Sequence, residues 1–179
     1  IKMGACGVCH SDLSATNGTL MLPPPLILGH EAAGTVVEVG DGVSSVAPGD
    51  LVIPSFIYMC GKCRFCAGGR PVLCVDQGKA LVTTSEGTPR VKDKAGNPLN
   101  IFSGCGVMAE YAVMDASNLV KIDPSIPPAS AALVGCAVTT GVGAVLNTAR
   151  VEAGSVVVVF GCGGVGLNAV QGPAIAGAV

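Results

Sequence analysis

Four cysteines crowded between Cys60 and Cys74 constrain this chain more than any other feature. Two residues separate Cys60, Cys63 and Cys66 from one another, and seven lie between Cys66 and Cys74. Four thiolates so placed can close a tetrahedral shell around one soft cation. A shell with no open position matches structural zinc, whose binding stabilises a loop with little apolar core of its own. Lys62, Arg64 and Arg70 bring positive charge to the same stretch, which is expected to favour the thiolates. An iron–sulfur cluster fits less well, because the bacterial ferredoxin run has a shorter last gap and a proline after its fourth cysteine, where Val75 stands here. Disulfides fit poorly too: nine cysteines is an odd number, and no charged-then-apolar signal segment opens the chain. A reducing, cytoplasmic setting is expected.

At 179 residues, half of them apolar, the chain has material for one full domain and part of another around a substantial core. Only 12% of residues are charged and the net charge is −2, which gives no electrostatic reason to expect nucleic acid or an anionic membrane as partner. Gly, Pro, Asp or Glu interrupts each hydrophobic run before the length of a membrane span, so a soluble protein is expected. The chain opens on Ile1 and stops at Val179, inside what reads as the first helix after a glycine-rich turn. It is expected to be a piece of a longer chain.

From Ile27 to Val52, β-branched runs such as Thr35-Val36-Val37 are punctuated by Gly34, Gly40, Gly42 and Pro48-Gly49-Asp50, predicting short strands in a small all-β unit of barrel type. The cysteine lobe follows as an excursion, and the polar stretch from Asp76 to Asn100 reads as a surface loop or hairpin. Strand signals resume at Ala109 to Val113 and Leu119 to Ile122; Pro124, Pro127 and Pro128 then lead into a helix near Ala129. The apolar run Val156 to Phe160 reads as a strand buried on both faces of a parallel sheet. Gly161, Gly163 and Gly166, with Cys162, Gly164 and Val165 between them, place G-x-G-x-x-G directly after it. That order suits a dinucleotide: the first glycine makes the turn, the second admits a pyrophosphate, the third lets helix approach strand, and the helix N-terminus faces the phosphates. Pro173 predicts a kink or an early end of that helix. The acidic residue that would choose between NAD and NADP falls past Val179.

Outside the lobe the two histidines, His10 and His30, lie in the glycine-flanked segments Gly7-Val8-Cys9-His10-Ser11-Asp12 and Gly29-His30-Glu31. A catalytic zinc takes about three protein ligands and keeps one position open. Cys9 and His30 are candidates, with Cys136 a third on spacing alone; Cys6, Cys105 and Cys162 stay open as alternatives, since free cysteine is often a small core hydrophobe.

The set GVCHSD, LGHEAAG, the four-cysteine lobe, GCAVTTGVGA and GCGGVG, in this order, resembles the zinc-dependent medium-chain alcohol dehydrogenases nearly end to end. The resemblance implies an α/β protein with a large β part: a GroES-like β-barrel catalytic domain over 1–137, with the structural zinc lobe at 60–74, then the start of a Rossmann domain over 138–179. It implies two zincs per chain, one on Cys9, His30 and Cys136 and one in the lobe, with NAD or NADP as coenzyme. Glu31 matches the acidic neighbour of the metal, Asp12 the carboxylate that orients the His30 imidazole, and Ser11 the hydroxyl that passes the alcohol proton outward. His10 matches a pyrophosphate contact, Thr140 a hydroxyl near the nicotinamide, and Phe56 an aromatic of the alcohol pocket. Ser14 stands where many members continue the proton relay with a histidine. The implied activity interconverts an alcohol and an aldehyde or ketone by hydride transfer, in a homodimer or homotetramer. Members with a tightly held nicotinamide, class III enzymes acting on S-(hydroxymethyl)glutathione and aryl alcohol dehydrogenases are the near branches, and an inactive zinc-stabilised module is the alternative from another class.

Overall fold

The computed structural model describes residues 1–77 and 91–179, which form two compact units, Ile1–Ala132 and Leu133–Val179. In the first unit the chain runs through strand β1 (Lys2–Cys6), helix α1 (His10–Thr16) and strands β2 (Leu26–Ile27), β3 (Ala32–Thr35) and β4 (Leu51–Pro54). After the short helix α2 (Arg64–Ala67) come β5 (Val91–Lys92), β6 (Pro98–Ile101), β7 (Leu119–Lys121) and helix α3 (Pro128–Ala132). One antiparallel sheet has the order β1-β3-β4-β7 and a second the order β2-β6-β5, with β2 parallel to β6.

The pattern of side chains explains the first sheet. Strand β1 alternates exposed and half-buried residues, as a strand with one covered face must. The small residues Ala32, Ala33 and Gly34 and the whole of β4 are buried, and they seed three apolar clusters. Val36, Val46 and Val52 form one; Ala33, Ile53, Ala131 and Ala132 pin α3 to the sheet; Ala32, Cys105, Val107 and Ala112 form the third. Gly4 stands at a register shift between Met3 and Ala5, a bulge that bends β1.

Several expected strands are shorter than their apolar runs. Of Thr35-Val36-Val37 only Thr35 lies in β3, although the Val36 N–H donates to Asp50 O at 2.9 Å. At Ala109 to Val113 there is a single bridge, Lys2 to Tyr111. The expected hairpin is β5–β6, closed by Asp93, whose carboxylate accepts the Ala95 and Asn97 N–H groups, both at 2.8 Å. The rest of that polar stretch, 78–90, lies outside the described residues. The helix expected near Ala129 is α3, with Pro128 in its first turn, where the missing donor costs nothing.

In the second unit α4 (Ala137–Gly143) continues into a π-helical turn at Ala144–Ala149 and packs on α5 (Gly164–Ala176). Small residues set this approach: a Cβ on Gly141 would lie 2.5 Å from Val165 O and 2.7 Å from Ala169 N, and one on Gly172 would lie 2.8 Å from Val145 Cβ. One expectation fails here and another is narrowed. Val156 to Phe160 forms no strand and Phe160 is 95% exposed, because a ladder needs neighbours and none pairs with it among the described residues. Of the kink or early end expected at Pro173, the early end does not occur: α5 runs on to Ala176; a proline near a helix end leaves only one acceptor unpaired, and Gly177 closes the helix four residues after it in the left-handed region. Among the described residues no single helix is long and apolar enough to cross a membrane.

Candidate metal centres and coenzyme turn

The Sγ atoms of Cys60, Cys63, Cys66 and Cys74 all lie within 4.8 Å of one another. A tetrahedron with metal–sulfur bonds of about 2.3 Å needs edges of about 3.8 Å, and Cys60 and Cys66 stand 4.0 Å apart. Cys63 caps the N-terminus of α2, so the local fold points backbone donors at the sulfurs: Cys63 N–H to Cys60 Sγ at 3.4 Å, Cys66 N–H to Cys63 Sγ at 3.5 Å and Cys60 N–H to Cys74 Sγ at 3.4 Å. These donors do the work that the sequence suggested for nearby cations. The Cys66 N–H, followed by that of Val75, pulls the Cys63 thiol down to about 6, whereas the Arg64 guanidinium lies over the Phe65 ring, 4.6 Å from its centre. Desolvation and the bond with Cys63 push Cys66 up to about 12. Burial opposes ionisation of Cys74, yet N–H donors from Cys60 and Asp76 lower it on balance. Charge is thus favoured at Cys63 and Cys74 and resisted at Cys66, and a set of sulfurs that shares charge in this way fits a dication.

A second group gathers in the first unit. Cys9 caps α1, accepting the Ser11 N–H at 3.5 Å, while Asp12 Oδ2 reaches back to the Cys9 N–H at 3.0 Å. Asp12 Oδ1 accepts the Gly29 N–H at 2.9 Å, which ties the helix to the segment carrying His30 and Glu31. Ligand atoms of Cys9, His30 and Glu31 lie within 4.8 Å of one another, and both His30 and Glu31 are buried. The turn before His30 requires glycine: Gly29 has φ +93°, and a Cβ there would sit 2.6 Å from Met108 N. His30 Nδ1 is buried without a hydrogen-bond partner among the described residues and faces Asp12 Oδ1 at 3.8 Å. A cysteine sulfur, an imidazole and a carboxylate converging, two of them from buried residues, with one ring nitrogen turned to a carboxylate, fit zinc. Thus the sequence-predicted Cys9, Asp12, His30 and Glu31 are brought together, with Ser11 Oγ 3.6 Å from Cys9 Sγ. Phe56 joins them, its ring perpendicular to the His30 ring at a centroid distance of 5.4 Å. His10 is exposed on α1, its Nδ1 3.4 Å from Ser14 Oγ.

Cys105 is buried at 2%, and desolvation pushes its thiol up to about 12; it is a core residue, which removes it from the alternatives. Cys6 and Cys162 are exposed thiols.

In the second unit Cys136 is the N-cap of α4, and its carbonyl accepts the Thr140 N–H at 2.9 Å. Thr140 is exposed on that helix. Gly163 is the N-cap of α5, with Gly164, Val165 and Gly166 in its first turn. Gly161 turns the chain at φ +101°, and a Cβ on Gly166 would run into the Gly161 carbonyl. The third glycine is therefore demanded chiefly by the turn itself.

Comparison with known proteins agrees with this geometry. S-(hydroxymethyl)glutathione dehydrogenase of Escherichia coli is 47% identical over 180 residues, covering 96% of this chain and 47% of the relative. Among solved structures, an alcohol dehydrogenase zinc-binding domain protein from Burkholderia ambifaria superposes with a TM-score of 0.91 at 37% identity, over 99% of this chain and 49% of that one. Benzyl alcohol dehydrogenase from Acinetobacter calcoaceticus superposes at 0.85 with 32% identity, over 99% and 48%. The chain spans about half the length of these relatives. Residues 1–124 match the alcohol dehydrogenase GroES-like domain, and with well over half of its length inside that match the chain belongs to the alcohol dehydrogenase GroES-like domain family.

Proposed function

We propose a zinc-dependent oxidoreductase that interconverts an alcohol and an aldehyde or ketone with a nicotinamide coenzyme, an activity assigned to a protein of the relatives' full length. The observation that carries this reading is the Cys9–His30–Glu31 donor group, with His30 and Glu31 buried and Cys9 half-buried, separate from the four-cysteine lobe. In this reading Cys9, His30 and Cys136 hold the catalytic zinc, and Cys60, Cys63, Cys66 and Cys74 the structural one. When bound, the catalytic zinc supplies a Lewis acid for the substrate oxygen and the nicotinamide supplies the hydride acceptor.

The chain's own residues do the rest. Asp12 turns the His30 ring so that Nε2 is the nitrogen left to ligate. Ser11, beside Cys9, takes the proton of the alcohol and passes it outward. Phe56 closes the substrate side and excludes water. Gly161, Gly163, Gly164, Val165 and Gly166 present the backbone N–H groups of the α5 N-terminus to the coenzyme phosphates, with His10 and Thr140 as further coenzyme contacts. We read 138–179, within the compact unit Leu133–Val179, as the opening of the coenzyme domain.

Zinc per chain tests the metal assignment. About two zincs are expected, one lost in Cys9→Ser and the other in Cys60→Ser; a single zinc indifferent to Cys9→Ser leaves only the lobe and favours a non-catalytic module. Alcohol-dependent coenzyme reduction by a chain extended to the relatives' length tests the activity. The 47% identity to S-(hydroxymethyl)glutathione dehydrogenase favours the glutathione adduct of formaldehyde as a second reading of the substrate, which a comparison of kcat/KM with that of benzyl alcohol separates.

A further inference from the structure

We infer that Phe102 is a positioning residue for the metal-ligating imidazole of His30, and that the turn 102–108 is the cradle that holds it there. The inference rests on the proposed metal role of Cys9 and His30.

Phe102 is 6% exposed. Its ring stands 5.3 Å from the His30 ring at an interplanar angle of 88°, the same perpendicular arrangement that Phe56 makes at 5.4 Å and 87°. Such edge-to-face pairs have a preferred geometry, because the positive edge of one ring seeks the negative face of the other. Two of them fix the plane of the imidazole, and Asp12 fixes which nitrogen turns outward.

The backbone after Phe102 is unusual in a way that this duty explains. Ser103, Gly104 and Gly106 have φ of +54°, +67° and +56°, and Ser103 is a buried residue other than glycine held in the left-handed region. Strain of this kind persists only where surrounding contacts over-determine it, and it collects at functional sites. Here the turn brings the chain straight back to the metal segment: the Val107 N–H donates to Gly29 O at 3.2 Å and the Met108 N–H to Leu28 O at 2.9 Å. The same seven residues thus hold the His30 ring from the side and the backbone just before His30, at Leu28 and Gly29, from behind. A core-filling phenylalanine needs neither the ring angle nor the strained return.

Cobalt release tests this. The metal-loaded protein is filled with cobalt(II), the bands of each site are assigned with Cys9→Ser, and loss of metal to excess chelator is followed at both sites. Phe102→Leu is expected to speed release from the His30 site roughly ten- to hundred-fold and to change its visible spectrum, with the four-cysteine site releasing as in wild type. Phe102→Tyr, which keeps the ring, is expected to stay close to wild type. If Phe102→Leu does not fold, Phe102→Met, whose flexible unbranched side chain can refill the gap without a ring, is read in the same way. Unchanged release and spectrum, or equal acceleration at both sites, overturns the inference while leaving the metal reading intact. A wild-type protein that takes up only the lobe cobalt overturns both.

Discussion

Asp12 has three tasks at once, and each sets a different sensitivity to substitution. Its carboxylate accepts N–H groups from Cys9 and Gly29 and faces His30 Nδ1, at 3% exposure. Asp12→Asn would set an amide NH2 against one of those N–H donors, at an expected cost of about 1–3 kcal/mol for the buried mismatch. It would also loosen metal at Cys9 and His30 while sparing the lobe. Thermal unfolding together with metal content per site checks both parts; full stability with full metal content would show that Asp12 only fills space. A surface residue gives the contrasting case. Asp50 is held below its ordinary value of 3.8 by the Lys121 ammonium, 2.6 Å away, and by the Ala47 N–H. A carboxylate lowered by folding adds stability above its unfolded pKa and loses it as pH falls through the folded one. Asp50→Asn should therefore melt earlier than wild type near neutrality, with the gap closing in acid below the folded pKa; a gap that is constant with pH would sink the assignment.

At the level of elements, the α4–α5 contact depends on a missing side chain. Gly141→Ala places a methyl 2.5 Å from Val165 O, and because the obstacle is backbone, the helices must part. A loss of about 1–3 kcal/mol is expected, read as a lower melting temperature of the second unit, with metal content at the lobe unchanged. The same element scale shows what was legible in the sequence. The lobe was, because its four ligands and the N–H donors on their sulfurs are close along the chain. The glycine turn and α3 were too, since Gly161 and Pro128 act on their own backbone. Val156 to Phe160 misled, because an apolar run specifies burial but cannot supply the strands that would bury it. Phe102 was invisible for a related reason: nothing in a lone phenylalanine before Ser103 says that it meets a histidine from the far side of the first unit's sequence. The sequence credits the lobe thiolates to neighbouring cations, whereas the backbone donors that lower Cys63 depend on the N-cap geometry of α2.

Across the whole molecule, the two metal centres are embedded to very different depths, and metal removal should expose that difference. His30 and Glu31 lie against the buried sheet, between Gly29 and Ala32, whereas from Cys60 to Cys74 only Cys74 is buried, and Val72 and Leu73 are 57% and 48% exposed. The lobe therefore has almost no apolar burial to hold it; its order comes from short-range backbone bonds and from the metal, a structural zinc being worth on the order of 10 kcal/mol to the segment that it closes. Once the metal is gone, the four cysteines have only their mutual contacts and a few N–H groups to hold them. The sheet β1-β3-β4-β7, with its own three apolar clusters, owes the lobe nothing. Chelation should thus open the lobe while the strands persist. Lys62 and Arg64 make this readable, because both are exposed and trypsin cuts after each once the backbone can extend into its active site; Arg70 is followed by Pro71 and resists cleavage. Brief trypsin treatment of the metal-free protein should cut after Lys62 or Arg64, identified by fragment mass, while the metal-loaded protein survives there and far-ultraviolet circular dichroism stays nearly the same. Loss of the strand signal on chelation would mean that the lobe supports the sheet. Equal resistance with and without metal would mean that the four cysteines hold no metal of structural consequence.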